Sequence, residues 1–247
     1  MAIFQFGSGV LLGARTDIAD ATPVNFGLVQ EVHLDLSFTT KELYGQNQFA
    51  VAIGRGVAKM TGKAKMAQIS GLAFNNLFFG MTMSSSYTAS SFGETGTVPG
   101  SSPYTVAVAH EGAFIADYGV VYAATGLPLT LVASSPGAGQ YSVSAGVYTF
   151  NAADAGKAVL TNYIYPASAG GQKIPLINQP IGTTPTFSAQ LFTSFQGKTV
   201  TVSLYNCVSS KLAYATKLED FTVPELDFMV FANAAGNVLD WSFSEAS

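Results

Sequence analysis

Two histidines, one cysteine and a scatter of carboxylates are the groups with which this chain could do chemistry. His33 sits between Glu31 and Asp35, a spacing that puts all three on one side of an extended strand. A metal centre would need further ligands, and acid–base work would need a substrate held within hydrogen-bond reach. The sequence supplies neither, so His33 reads as a solvated or salt-bridged side chain. His110-Glu111 lacks the second histidine of a zincin helix and lies in strand-like sequence. Cys207 ends the alternating run "TVTVSLYNC" and reads as a buried or interface thiol, without the paired histidine of a nucleophile. Asp117, Asp154, Glu219 and Asp220 lie near turns, with nothing to select a glycosidase pair. "GSG" at 7–9 is no nucleophile elbow, and the glycine spacing of "GRGVAKMTG" fits neither a phosphate loop nor a dinucleotide fingerprint. The expectation is a non-enzyme with no catalytic residue, cofactor or metal.

The composition suggests what the chain does instead. Charged residues are 11% of its 247, against roughly 25% in a typical soluble domain, so another surface is expected to cover much of this one. A hydrophobic share of 48% argues against disorder. No run reaches the roughly 20 apolar residues of a spanning helix, and 3–12 is a poor signal peptide because polar residues interrupt it. A transmembrane β-barrel fits the composition but lacks that export signal. One cysteine excludes an internal disulfide and fits synthesis in the cytosol. A net charge of −4 gives no basic footprint for gripping nucleic acid. Other protein subunits are the expected cover.

Period-two alternation marks the strands. From 28 to 38, Leu28, Val32, Leu34, Leu36 and Phe38 oppose Glu31, His33, Asp35 and Ser37. From 57 to 66, Lys59, Thr61, Lys63 and Lys65 oppose Met60, Gly62, Ala64 and Met66. Thr199–Leu204 and Glu225–Val230 sort in the same way, which predicts antiparallel sheet with one polar face. A helix is predicted over 68–79 from Ile69, Leu72, Ala73 and Leu77, widened by Phe74 and Phe78, with Gly80 as its cap. The Ser/Gly/Pro run at 84–103 and the Gly-rich stretch at 167–172 read as connections. They divide the chain into 1–83, an inserted β-rich subdomain at 84–181 that reads as a sandwich or meander, and 182–247.

Between the first two strands, "TTKELYGQNQFAVAIGRG" (39–56) reads as a loop too long for a hairpin turn. Its aromatic and amide residues suit a contact surface, and Lys41, Glu42, Tyr44, Gln46, Asn47, Phe49 and Arg55 are the contact candidates. The alternative is a flap folded on its own domain.

The blocks "LDLSFTTKELYGQNQFAVAIGRGVAKMTGKAKMAQISGLAFNNLFFG" (34–80) and "TPTFSAQLFTSFQGKTVTVSLYNCVSSKLAYATKLEDFTVPELDFMVFANAAGNVLDWSFSE" (184–245) resemble the two halves of bacteriophage tail tube proteins. They cover less than half of the chain. The resemblance implies a mainly β (α+β) fold, a two-sheet sandwich or barrel with one flanking helix. It implies hexameric rings stacked into a tube, four strands per subunit lining a DNA channel, and long loops reaching the next ring. Here the lining strands would be 28–38, 57–66 and two from 187–206 and 221–232, with 39–56 as the stacking loop. The polar parity of these strands gives the channel candidates Glu31, His33, Asp35, Lys59, Lys63, Lys65, Glu225 and Asp227. Implied partners are further copies of the chain and other tail proteins at the tube ends, with DNA passing non-specifically and no membrane. The implied place is the virion tail, after synthesis in the host cytoplasm. Segment 84–181 would decorate the outside, which favours a non-contractile tail. Alternatives are a tail terminator, a capsid decoration protein or a glycan-binding β-protein.

Overall fold

The computed structural model describes residues 4–68, 70–167 and 170–244. With 53% strand and 6% helix the chain is mainly β, in several sheets with one short helix. The first part of the chain supplies β1 (Val10–Arg15), β2 (Val24–Asn25), β3 (Val29–Tyr44), β4 (Ala50–Met66) and the helix α1 (Gly71–Phe74). The middle supplies β5 (Tyr87–Thr97), β6 (Thr105–Ala107), β7 (Ala116–Tyr122), β8 (Thr130–Leu131), β9 (Gln140–Ser144), β10 (Val147–Phe150) and β11 (Ala158–Ala167). The last part supplies β12 (Thr186–Phe195), β13 (Lys198–Ala213), β14 (Glu225–Phe231) and β15 (Leu239–Phe243). Two compact units result, Met1–Thr82 with Ile174–Ser247, and Met83–Lys173. The second closes at Lys173, ahead of the boundary read at 181, where Lys173 and Ser84 exchange backbone hydrogen bonds.

In the first unit all strands join one sheet, in the order β2-β1-β12-β13-β14-β4-β3, with β15 beside β13. β14 and β15 follow one another along the same edge of β13, opposite 206–213 and 200–204. The core lies on one face, where Leu11, Met66, Phe187, Leu204, Leu226 and Phe228 are buried. Phe187 and Phe228 meet with ring centroids 6.0 Å apart. Gly62 makes that possible. It pairs with Phe228 across the strands, and a Cβ there would lie 2.1 Å from the Phe228 ring.

Ala73 and Leu77 bury a helical stripe against this core. The helical span starts at Gly71 instead of 68, because Ser70 is its N-cap and accepts from the Ala73 N–H at 3.3 Å. Ile69, predicted on the stripe, lies outside the described residues. After Phe74 the winding loosens to a π-turn over Asn75–Phe79, and left-handed Gly80 (φ 64°) ends it. Leu72, expected on the stripe, is exposed.

Two readings of connections are corrected. The segment 39–56 is not a loop, since β3 and β4 run through it as paired strands joined by a short turn at 45–49. The run at 84–103 contains β5, whose small polar residues conceal a strand at a sheet edge. In the second unit β5-β11-β7 and β6-β10-β9-β8 form two sheets, and their side chains share one core that includes Tyr141, Tyr148, Phe150, Val159 and Tyr163.

Candidate assembly and channel surfaces

The register of β3, β4 and β14 places the eight channel candidates on one face. Glu31 and Glu225 both pair with Lys65, His33 and Asp227 both with Lys63, Asp35 with Thr61, and Ser37 with Lys59. Opposite charges therefore interleave by construction. Lys65 Nζ lies 2.5 Å from Glu31 Oε2, and Lys63 Nζ 2.6 Å from Glu225 Oε1. These ammonium groups hold both glutamates below the usual carboxylate range.

Sequence reasoning missed Lys211, which pairs with Asp227 from β13 and lies 3.7 Å from Glu225 and 3.8 Å from Asp227. A register shift between Ser209 and Lys211 hides its parity. With Lys211 counted, Glu31, Asp35, Glu225 and Asp227 face Lys59, Lys63, Lys65 and Lys211, and the face is formally neutral. Between them is a shallow depression of about 360 Å³ bordered by His33, Asp35, Lys63 and Asp227.

The contact candidates lie on the β3–β4 ribbon. Lys41, Glu42 and Tyr44 are on β3, Arg55 is on β4, and Gln46, Asn47 and Phe49 are in the turn. β14 accompanies β4 only over 60–65, so beyond Met60 the two strands continue alone. Ten residues of β4, from 50 to 59, carry the ribbon about 30 Å past that point. Every residue from 35 to 59 except Ala50 is exposed. Thr40 pairs with Arg55 and Glu42 with Ile53, so Phe38, Ile53 and Arg55 share one face. The Arg55 guanidinium sits 4.6 Å above the Phe38 ring, and the Tyr44 hydroxyl donates to Glu42. Val51, Ile53, Arg55 and Val57 alternate with Ala52, Gly54 and Gly56, a large/small period that could have revealed the strand.

A second apolar projection leaves the other end of the same sheet. Ala213 pairs with Glu225, which pairs with Lys65, so the loop 214–224 emerges past Lys65 while the ribbon emerges past Met60. In that loop Leu218 is 99% exposed and Phe221 90%; in the ribbon turn Phe49 is 84% exposed. Leu218 lies outside every run with a readable pattern, and Phe221, read as the start of a lining strand over 221–232, lies instead in the loop before β14.

Cys207 and His110 are both held in packed surroundings. Cys207 is buried, and burial pushes its thiol up to about 12. His110 stacks on Tyr165 at 3.8 Å. Among the described residues no three metal-ligating side chains converge, and no helix is long and apolar enough to cross a membrane. No protein-family model matches the chain, and a search of curated proteins returns no match.

Proposed function

We propose that this chain is the structural subunit of a bacteriophage tail tube, polymerising as stacked hexameric rings around a channel through which DNA is delivered. The observation that carries the reading is the β3–β4 ribbon, open to solvent on both faces from 35 to 59 except at Ala50. A two-stranded hairpin without further cover is marginally stable in water, and long apolar edges invite pairing with another chain. The ribbon and the Leu218/Phe221 loop lie at opposite ends of one sheet, which suits a head-to-tail contact repeated along an axis. The self-neutralised polar face suits a channel wall, because a basic wall would bind phosphates through counterion release and slow their passage.

The test is a variant in which residues 42–53 are replaced by a short Gly/Ser turn, compared with the parent by sedimentation velocity. The expected result is a folded chain that sediments as a monomer where the parent forms large assemblies. Assembly of the shortened chain at the parent's rate would remove the ribbon from this role.

A further inference from the structure

The outer face of the β5-β11-β7 sheet carries a site that the assembly reading does not use. The strand register breaks on both sides of Asn162. On β5 it passes from Glu94 to Ser91, so Phe92 and Gly93 together face Asn162; on β7 it passes from Val120 to Asp117, so Tyr118 and Gly119 do the same. Gly93 (φ 70°) and Gly119 (φ 104°) adopt backbone that glycine takes most readily. A Cβ on either would meet nothing within 4 Å, so conformation and not crowding calls for glycine. Asn162 pins both bulges: its Oδ1 accepts from the Gly93 N–H at 2.9 Å and its Nδ2 donates to the Gly119 carbonyl at 3.1 Å.

Bulges re-aim side chains. Here Phe92 is 91% exposed and Tyr118 68%, and both border a depression of about 340 Å³ together with Ser90, Asn162 and Ile164. No charged side chain lines it. The nearby carboxylates are already engaged: Asp117 accepts from the Tyr141 and Tyr148 hydroxyls and the Gly119 N–H, and Glu94 from the Tyr163 and Ser91 hydroxyls and the Ala109 N–H. The site therefore offers two aromatic faces and the neutral hydroxyls of Ser90 and Tyr118.

We propose that this depression binds a neutral hexopyranose unit of a glycan, held between Phe92 and Tyr118. Those residues leave strands two spacings apart, about 9.6 Å. The C–H face of a saturated six-membered ring packs on an aromatic side chain at about 3.5–4 Å, with its hydroxyls toward those of Ser90 and Tyr118. Single-stranded nucleic acid needs cations along its backbone, and none lines the site. Two aromatic side chains of about 150–250 Å² each fall short of the roughly 800 Å² per partner in a stable protein interface.

The test applies the fluorescently labelled full chain to an array of neutral and acidic oligosaccharides with single-stranded DNA as a further probe, alongside Phe92→Ala and Tyr118→Ala. Both residues are exposed, so unchanged thermal unfolding is expected and is measured. The expected result is binding to neutral hexopyranose oligomers, reduced about tenfold by each substitution. Binding to none of the neutral glycans, a preference for acidic glycans or DNA, or full binding by either substituted chain would each overturn the proposal.

Discussion

Lys63 Nζ lies 2.6 Å from Glu225 Oε1, reaching diagonally past its direct cross-strand partner Asp227. Lys65, the direct partner of Glu225, turns to Glu31 on the other side at 2.5 Å. Lys211 then stands within 4 Å of both Glu225 and Asp227. Each lysine thus links two strands, and the polar face balances its own charge without a partner molecule.

That arrangement fixes a pH response. Glu31 and Glu225 are held below their ordinary value of 4.5, chiefly by hydrogen bonds from Lys65 and Lys63. A carboxylate with a lowered folded-state pKa contributes stability above its unfolded value and loses it as pH falls through the lowered one. Urea unfolding of the parent and of Glu31→Gln/Glu225→Gln should differ at pH 7 and converge as pH falls below 4.5. A difference that persists undiminished at low pH would mean that these pairs contribute nothing.

The second unit should fail at the opposite end of the pH scale. Tyr141 and Tyr148 are pushed above their ordinary value of 10 by burial first and by the Asp117 carboxylate second. A raised folded pKa contributes stability in full below 10 and loses it as pH rises through the raised value. Phenolate absorbance should show these tyrosines titrating only as the unit unfolds. Asp117→Ala leaves two phenol hydroxyls without their acceptor and should cost about 1–3 kcal/mol, read from urea midpoints. A midpoint within error of the parent would show that water replaces the carboxylate.

How much was legible follows from burial. Alternation was plain in 29–34, 60–66 and 225–230, because there one face meets the core and the other is more open to solvent. It faded in 39–44 and 50–56 because both faces of the ribbon are exposed and nothing sorts polar from apolar. Only the large/small period from Val51 to Val57 remained as a signal. β5 was hidden in the same way, with Ser and Thr filling an edge strand. The polar parity of Glu31, His33, Asp35 and the lysines could be read, whereas Lys211 needed the β13 register shift. The Phe92/Tyr118 pair depends on two bulges that no periodicity records.

Leu218 and Phe221 should matter to assembly and not to folding. Both are nearly fully exposed, so Leu218→Ser/Phe221→Ser should leave the thermal midpoint of the monomer within about 0.5 kcal/mol equivalent of the parent. The same chain should show at least a tenfold rise in the concentration needed to polymerise, measured by light scattering, since two anchors at an interface core commonly exceed 1.4 kcal/mol together. Unchanged polymerisation would place the ribbon's partner elsewhere on the sheet.

The proposed function requires copies of this chain to close into rings and stack around a channel. Electron microscopy of the purified full chain at high concentration tests it most directly. Hollow tubes whose end views average to six-fold rings are expected, with β3–β4 ribbons bridging successive rings. Monodisperse single chains at every concentration, or solid fibres without a lumen, would contradict it.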